Sequence, residues 1–166
     1  MRRRLALLAS GSALLLGGCG FQLRRAPELA FRSLYVGVAE SSTLGNELKR
    51  NLGSLGTLEL IRDPARQSDA EAVLDILTDQ REKTVVGVNA SGQVREFQLR
   101  VRLRFRLRTP LGRELIPDTE LLLQRDISFN ESAVLAKEAE EGLMYRDMQS
   151  DIVQQLIRRL AAVRAL

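Results

Sequence analysis

The sequence predicts an α+β fold: a two-layer sandwich in which two helices pack on one face of a mostly antiparallel sheet with long strands. The main observation is the segment from Phe97 to Arg108, where apolar residues alternate strictly with Gln98 and five arginines. Such alternation is typical of a strand with one buried and one exposed face. Two further segments repeat apolar residues at helical spacing. An apolar sheet face and two apolar helix stripes bury each other as two layers, in the order β-α-β-β-β-α.

The first half of the fold is predicted as a strand, a helix and a loop. Residues 34–38 are apolar and β-branched, which indicates a short strand. A serine or threonine at 41–43 caps the next helix, and two glycines end it. The apolar positions of this helix recur every four residues, at Leu44, Leu48 and Leu52. Residues 58–61 follow as a brief extended piece, and residues 63–69 as a loop.

Three long strands joined by two turns come next. Residues 72–89 are rich in Val, Leu, Ile and Thr and lead through Asn89-Ala90-Ser91-Gly92 into the alternating strand, which predicts a hairpin. Pro110 presets the geometry of a second turn before a strand over residues 114–129. Because proline cannot donate to a strand ladder, Pro117 predicts an edge position or a bulge in this last strand.

One long helix is predicted from Ala133 to about Leu160. Its acidic residues lie toward the N-terminal half and its arginines toward the end, which suits the helix dipole. Its apolar stripe advances mostly in steps of four and consists of Leu135, Ala139, Leu143, Met148, Ile152, Leu156 and Leu160.

The N-terminus has the layout of a lipoprotein signal peptide. Three arginines precede an apolar run of about twelve residues, which is shorter than the roughly 20 residues of a membrane-spanning helix. Leu16-Gly17-Gly18-Cys19 resembles a bacterial lipobox, in which the cysteine thiol is acylated, the peptide is cut just before it, and the new N-terminus is acylated as well. The alternative is an ordinary signal peptide with an incidental cysteine. Gly20, in place of aspartate, favours delivery to the outer membrane. We therefore expect a signal peptide over 1–18, a lipidated Cys19 and tether over 19–32, and one domain over 33–166.

The composition excludes most catalytic chemistry. The chain contains no histidine, and its single cysteine is assigned to the acyl chains, which leaves no cysteine nucleophile, histidine base or ordinary zinc ligand set. Neighbouring carboxylates such as Glu140 and Glu141, or Asp118 and Glu120, are interpreted as solvated charge. We expect no enzyme and no cofactor besides the covalent acyl chains on Cys19.

Charge is uneven along the chain rather than high overall. Removal of residues 1–18 takes three arginines and no acid from the 25 basic and 21 acidic residues, which leaves a net charge of about +1. The alternate arginines from Arg100 to Arg108 lie on one strand face, suited either to phosphates and carboxylates or to a solvated face with interleaved acids. Candidate acids on flanking strands are Asp75, Asp79 and Glu120. Nucleic acid is not expected, because Phe97 and Phe105 lie on the opposite face.

Four segments carry a resemblance to a known family. They are Cys19 to Arg24 at the mature start, the turn 91–93 with Glu96 to Leu99, the segment 135–138, and Gln155 to Leu160. In their order and spacing the chain resembles the LPS-assembly lipoprotein family LptE of Gram-negative bacteria. The resemblance implies a domain tethered to the periplasmic side of the outer membrane. There it plugs and helps to assemble the LptD-type β-barrel in a 1:1 complex, and it binds lipopolysaccharide.

The resemblance also implies where lipopolysaccharide binds. The family uses basic residues against the lipid A phosphates, and one of these positions corresponds to Lys137. The other lies before the Gly-Gln turn, where this chain has Ala90 instead of arginine, so that Arg95 or Lys83 substitutes. The candidate contacts are Lys137, Arg95, Arg100 and Arg102. The alternative is a periplasmic-facing lipoprotein that binds another anionic ligand through its arginine-lined strand.

Overall fold

The computed structural model describes residues 27–165 and confirms the predicted α+β sandwich. The strands are β1 (Ser33–Gly37), β2 (Glu59–Ile61), β3 (Ala72–Val88), β4 (Val94–Arg108) and β5 (Glu114–Ser128). The helices are α1 (Thr43–Gly53) and α2 (Val134–Ala161), with 3₁₀ helices at Pro64–Asp69 and Glu131–Ala133. The brief extended piece is thus a fifth strand, and the first of the 3₁₀ helices replaces the predicted loop.

The sheet is mixed, with strand order β2-β1-β3-β4-β5. The long pairs β3–β4 and β4–β5 are antiparallel, whereas β1 pairs in parallel with β2 and β3 over a few residues. The alternating strand β4 therefore lies between two long partners, as expected for the segment that organises the sheet. Strand β5 lies at the edge, and its register shifts between Ile116 and Thr119, so both predicted effects of Pro117 are present.

The core lies between the helices and one face of the sheet. From Leu99 to Leu107, the odd-numbered residues of β4 are at most 1% exposed and belong to one core cluster with buried residues of both helices. Helix α1 contributes its three predicted leucines, and the Ser42 hydroxyl caps it by accepting a hydrogen bond from the amide of Gly45 at 2.8 Å. Phe31, which precedes β1, is also buried in this core.

The apolar stripe of α2 is confirmed only in its C-terminal half. Met148, Ile152, Leu156 and Leu160 are fully buried, but Leu135 is 82% and Leu143 is 54% exposed, and Ala139 is exposed as well. The physical reason is the step of five residues between Leu143 and Met148, which turns the helix by about 140°. The side chains that continue the buried face toward the N-terminus are instead Tyr145, Glu141 and Lys137.

Both long hairpins end in turns that require glycine. Gly92 and Gly112 have φ angles of 81° and 91°, in the left-handed region that other residues rarely adopt. Residues 1–26, which include Cys19 and the predicted signal peptide, lie outside the described part of the chain. Among the residues that are described, no helix is both long and apolar enough to cross a bilayer.

Candidate functional site

A cavity of about 220 Å³ lies where α2 begins, over the ends of the three long strands. Strand β3 contributes one residue, β4 one, and β5 with its following loop three, while the first two turns of α2 supply the rest. The lining residues are Lys83, Phe97, Ile127, Ser128, Phe129, Val134, Lys137, Glu138 and Glu141. We call this the lysine cavity. It contains Lys137, the first of the predicted contacts, and Lys83, one of the two substitutes proposed for Ala90.

Both lysines of the cavity are held by carboxylates. The Lys83 ammonium group lies 2.5 Å from Glu141 Oε2, and Lys137 Nζ lies 2.8 Å from Glu140 Oε2 and 3.1 Å from Ser128 Oγ. The Lys83 and Lys137 side chains are only 36% and 23% exposed, so both are partly withdrawn from water. These contacts hold the two ammonium groups at the cavity in the absence of a ligand.

Four apolar side chains form the wall beneath the lysines. Phe97 and Phe129 meet edge to face, with ring centroids 5.3 Å apart and an interplanar angle of 80°. Lys83 Nζ lies 4.3 Å from the centroid of the Phe97 ring, a cation–π contact that fixes the ammonium over the aromatic wall. Ile127 is 4% exposed, and Val134 completes the wall from the helix.

The charge of the lysine cavity is balanced. Its two lysines are matched by Glu138 and Glu141, so the lining residues that the structure describes carry no net formal charge. A small free anion therefore gains little there from long-range attraction. An amphiphile gains more, because its anionic group can replace a carboxylate on lysine while its apolar part covers the aromatic wall.

The other predicted contacts lie on β4, which we call the arginine strand, and outside the lysine cavity. Arg100 and Arg102 are even-numbered residues of β4 and face away from the helices, so the structure does not bring them together with Lys137. Arg100 Nε donates to Gln98 Oε1 at 2.8 Å. Arg102 Nε lies 3.9 Å from Glu120 and has no hydrogen-bond partner among residues 27–165. Arg95 is exposed near the start of β4 and does not line the cavity.

Acidic residues interleave with the remaining arginines on this face. Arg104 pairs with Asp118, and the Asp75 carboxylate accepts hydrogen bonds from Arg106 Nε at 2.9 Å and Arg108 Nε at 2.8 Å. Partial burial raises the pKa of Asp75, but hydrogen bonds from Arg108 and Arg106 and their positive charges outweigh it. The pKa of Asp75 therefore lies below its ordinary value.

The side of the sheet that carries the arginines from Arg100 to Arg108 is called the arginine face. Asp79, the third predicted acid, is not on it. Its register position places it on the helix side, and its Oδ2 accepts a hydrogen bond from the Ser42 hydroxyl at 2.7 Å. The register of β3 shifts between Ile76 and Thr78, and one extra residue exchanges the two faces of the strand from that point onward. The prediction for Asp79 was wrong because strict alternation does not anticipate this bulge.

Residues 31–160 match the profile of a family named LptE and described as lipopolysaccharide-assembly. The chain belongs to the LptE family. Two relatives named LPS-assembly lipoprotein LptE extend the match over nearly the whole chain. The protein from Yersinia enterocolitica is 30% identical over 99% of this chain and 79% of its own length, and that from Pectobacterium atrosepticum is 29% identical over 98% and 88%.

Two solved structures of lipoproteins are similar in fold to this chain. The solution structure of lipoprotein B from Nitrosomonas europaea has a TM-score of 0.73 and 34% identity, covering 86% of this chain and 91% of that one. The crystal structure of the rare lipoprotein B from Shewanella oneidensis has a TM-score of 0.66 at 20% identity, over 79% of this chain and 95% of that one. The second similarity shows the fold alone.

The parts of the cavity that sequence reasoning missed in this LptE-family chain are Glu141 and the aromatic wall. Glu141 lies one helical turn after Lys137, and this spacing of four is the signal that could have placed them on one face. Phe129 follows β5 and meets Phe97 across the β4–β5 pair. Within the described residues, no group of three acidic or cysteine side chains is arranged to hold a metal ion.

Proposed function

We propose that this chain is a non-enzymatic outer-membrane lipoprotein that binds lipopolysaccharide in the lysine cavity during its insertion into the outer leaflet. Acyl chains on Cys19 attach it to the periplasmic side of the membrane. Its partner is an LptD-type β-barrel, which it plugs and helps to assemble in a 1:1 complex. Family membership supports the role in lipopolysaccharide assembly, and the resemblance of the sequence supports the barrel as the partner.

The observation that carries the lipopolysaccharide site is the pair of lysines above an apolar wall. Lipid A combines phosphate groups with acyl chains, and the lysine cavity combines two ammonium groups with four apolar side chains. Phosphate competes well for lysine, because it carries more negative charge and more acceptor oxygens than a carboxylate. Lys83 fills the role that the resemblance assigns to a second basic residue near Ala90, since it shares the cavity with Lys137.

Binding proceeds by an exchange of partners. Glu140 is 49% exposed, so it can turn into solvent when a phosphate takes its place on Lys137. Glu141 is 21% exposed and lines the cavity, so its release from Lys83 costs more. The glutamates thus keep the lysines neutralised until a stronger anion arrives, and they select against weak anions.

The arginine strand is the less favoured alternative for anion binding. Four of its five arginines lie against a carboxylate, with Asp75 shared between two of them. An incoming anion has to displace these contacts, and none of the five arginines lines the lysine cavity with its aromatic wall. The lysine cavity offers an amphiphilic ligand both positive charge and an apolar surface in one concave site.

Charge-changing substitutions in the cavity test this proposal. We expect Lys137→Ala and Lys83→Ala each to lower the affinity for purified lipopolysaccharide about tenfold, because loss of a hydrogen bond between charged groups costs about 1.5 kcal/mol. We expect Glu141→Gln to raise the affinity severalfold, since it frees Lys83. Binding is measured by titration of the purified protein in detergent at fixed salt.

The matched control is Lys49→Ala, the same change at a lysine on α1 outside the cavity. It should leave the affinity unchanged. The proposal is contradicted if Lys49→Ala weakens binding as much as Lys137→Ala, or if Glu141→Gln weakens it, because the lysines would then act only through overall charge or stability.

A further inference from the structure

A second cavity, of about 360 Å³, lies between α1, α2 and β3 and shares no residue with the lysine cavity. Its lining residues are Thr43, Asn46, Arg50, Arg81, Arg146 and Gln149. We call it the arginine groove. Helix α1, strand β3 and helix α2 each contribute one of its three arginines, so the fold brings together guanidinium groups that are far apart in the sequence.

The three arginines of the arginine groove lack acidic partners in the described part of the chain. No acidic residue lines it, and across residues 27–165 Arg50, Arg81 and Arg146 have no carboxylate within 4.0 Å. The two lysines of the lysine cavity and four of the five alternate arginines of β4 have acidic partners. Three like charges that line one concave surface repel each other and concentrate a positive potential, which an anion relieves.

One arginine of the groove is held in place by neighbouring side chains, of which Gln149 is buried. Arg81 Nη2 donates to Gln149 Oε1 at 2.5 Å and to Thr43 Oγ1 at 3.2 Å, and its guanidinium lies 5.6 Å from the centroid of the Tyr145 ring. Gln149 is only 7% exposed, and its amide donates to Glu47 Oε2 at 2.5 Å. Arg81 is therefore fixed before any ligand arrives, and less side-chain entropy is lost on binding.

We propose that the arginine groove is a binding site for phosphate groups. Guanidinium groups bind phosphate through paired, charge-assisted hydrogen bonds, and three of them around a concave site suit a phosphate or pyrophosphate better than a single carboxylate. The phosphate can belong to a soluble compound or to a lipid headgroup. The site is distinct from the lysine cavity, because no lining residue is common to both.

Nuclear magnetic resonance titration of the purified protein in detergent tests the proposal. One series uses inorganic pyrophosphate, and a second uses lipopolysaccharide compared with its enzymatically dephosphorylated form. We expect the backbone amide and arginine Nε–H signals of Arg50, Arg81 and Arg146 to shift together and to saturate. Arg50→Gln and Arg146→Gln should each weaken this binding at least fivefold and make it less sensitive to salt.

Arg158→Gln is the matched control, since Arg158 is an exposed arginine on α2 outside the groove. It should leave the groove titration unchanged. Saturable, groove-dependent binding in either series supports the proposal and identifies whether the phosphate is soluble or lipid-borne. The proposal is overturned if neither ligand shifts the groove signals saturably, or if Arg146→Gln and Arg158→Gln behave alike. Loss of lipopolysaccharide binding on Lys137→Ala with an unchanged pyrophosphate titration separates this site from the lysine cavity.

Discussion

At the residue scale, Asp75 links the arginine face to strand β3. Its carboxylate is 20% exposed and accepts hydrogen bonds from Arg106 and Arg108, two residues apart on the neighbouring strand. Without Asp75, two guanidinium groups would face each other on one sheet surface. The low pKa of Asp75 means that the folded protein favours its charged form.

We expect Asp75→Asn to lower the free energy of unfolding at neutral pH by about 1–3 kcal/mol, the cost of losing hydrogen bonds to charged groups. The native pKa of Asp75 is lowered, so its stabilising contribution is complete above the unfolded-state pKa of about 3.9 and is lost as pH falls below it. Urea unfolding between pH 7 and pH 3 should therefore show that the difference in free energy of unfolding between wild type and variant becomes smaller in acid.

The same change at Asp147, an exposed residue of α2, controls for the loss of a surface carboxylate. A gap for Asp75→Asn that stays constant down to pH 3 would show that the two arginines do not depend on the charge of Asp75.

Lys83 shows which part of the site the sequence could not specify. The resemblance pointed to Lys137 directly, but Lys83 was one of two alternatives, and only the structure places it in the cavity. The segment from Thr78 to Lys83 contains no apolar residue. Its pattern therefore cannot tell which face is buried, and the bulge after Ile76 decides it.

At the scale of elements, the sequence predicted the long strands well and the last helix only in part. Strict alternation fixes the faces of β4, because shifting its register by one residue would bury five arginines. In α2 the apolar residues form two stripes that do not align, and the first of them, with Leu135 and Leu143, lies in solvent. Periodicity alone does not show which stripe meets the sheet.

Substitutions along α2 distinguish the two stripes. We expect Leu143→Ala to change the free energy of unfolding by less than about 0.5 kcal/mol, because the side chain is already half exposed. The identical change at Leu156, which is fully buried, should cost about 2–5 kcal/mol. Urea unfolding followed by circular dichroism measures both, and equal losses would contradict the observed packing.

At the scale of the whole molecule, the expected tether and the proposed ligand site are far apart. Phe31 and the beginning of β1 lie beside the start of β3, whereas the lysine cavity contacts β3 at Lys83. Lys83 lies eleven residue steps along the strand from Ala72, or roughly 36 Å. The end near the expected lipid tether and the proposed ligand site thus lie at opposite ends of the sheet, and the long strands set their separation.

The most direct test of the proposed function is photo-crosslinking in native outer membranes from one position in the lysine cavity and one on the other side of the sheet. One crosslinking residue replaces Val134 in the lysine cavity, and the other replaces Arg102 on the arginine face. We predict a lipopolysaccharide adduct from position 134 and none from position 102, with both proteins co-purifying with a large β-barrel at 1:1. An adduct from position 102 but not 134, or purification without a barrel, would contradict the account.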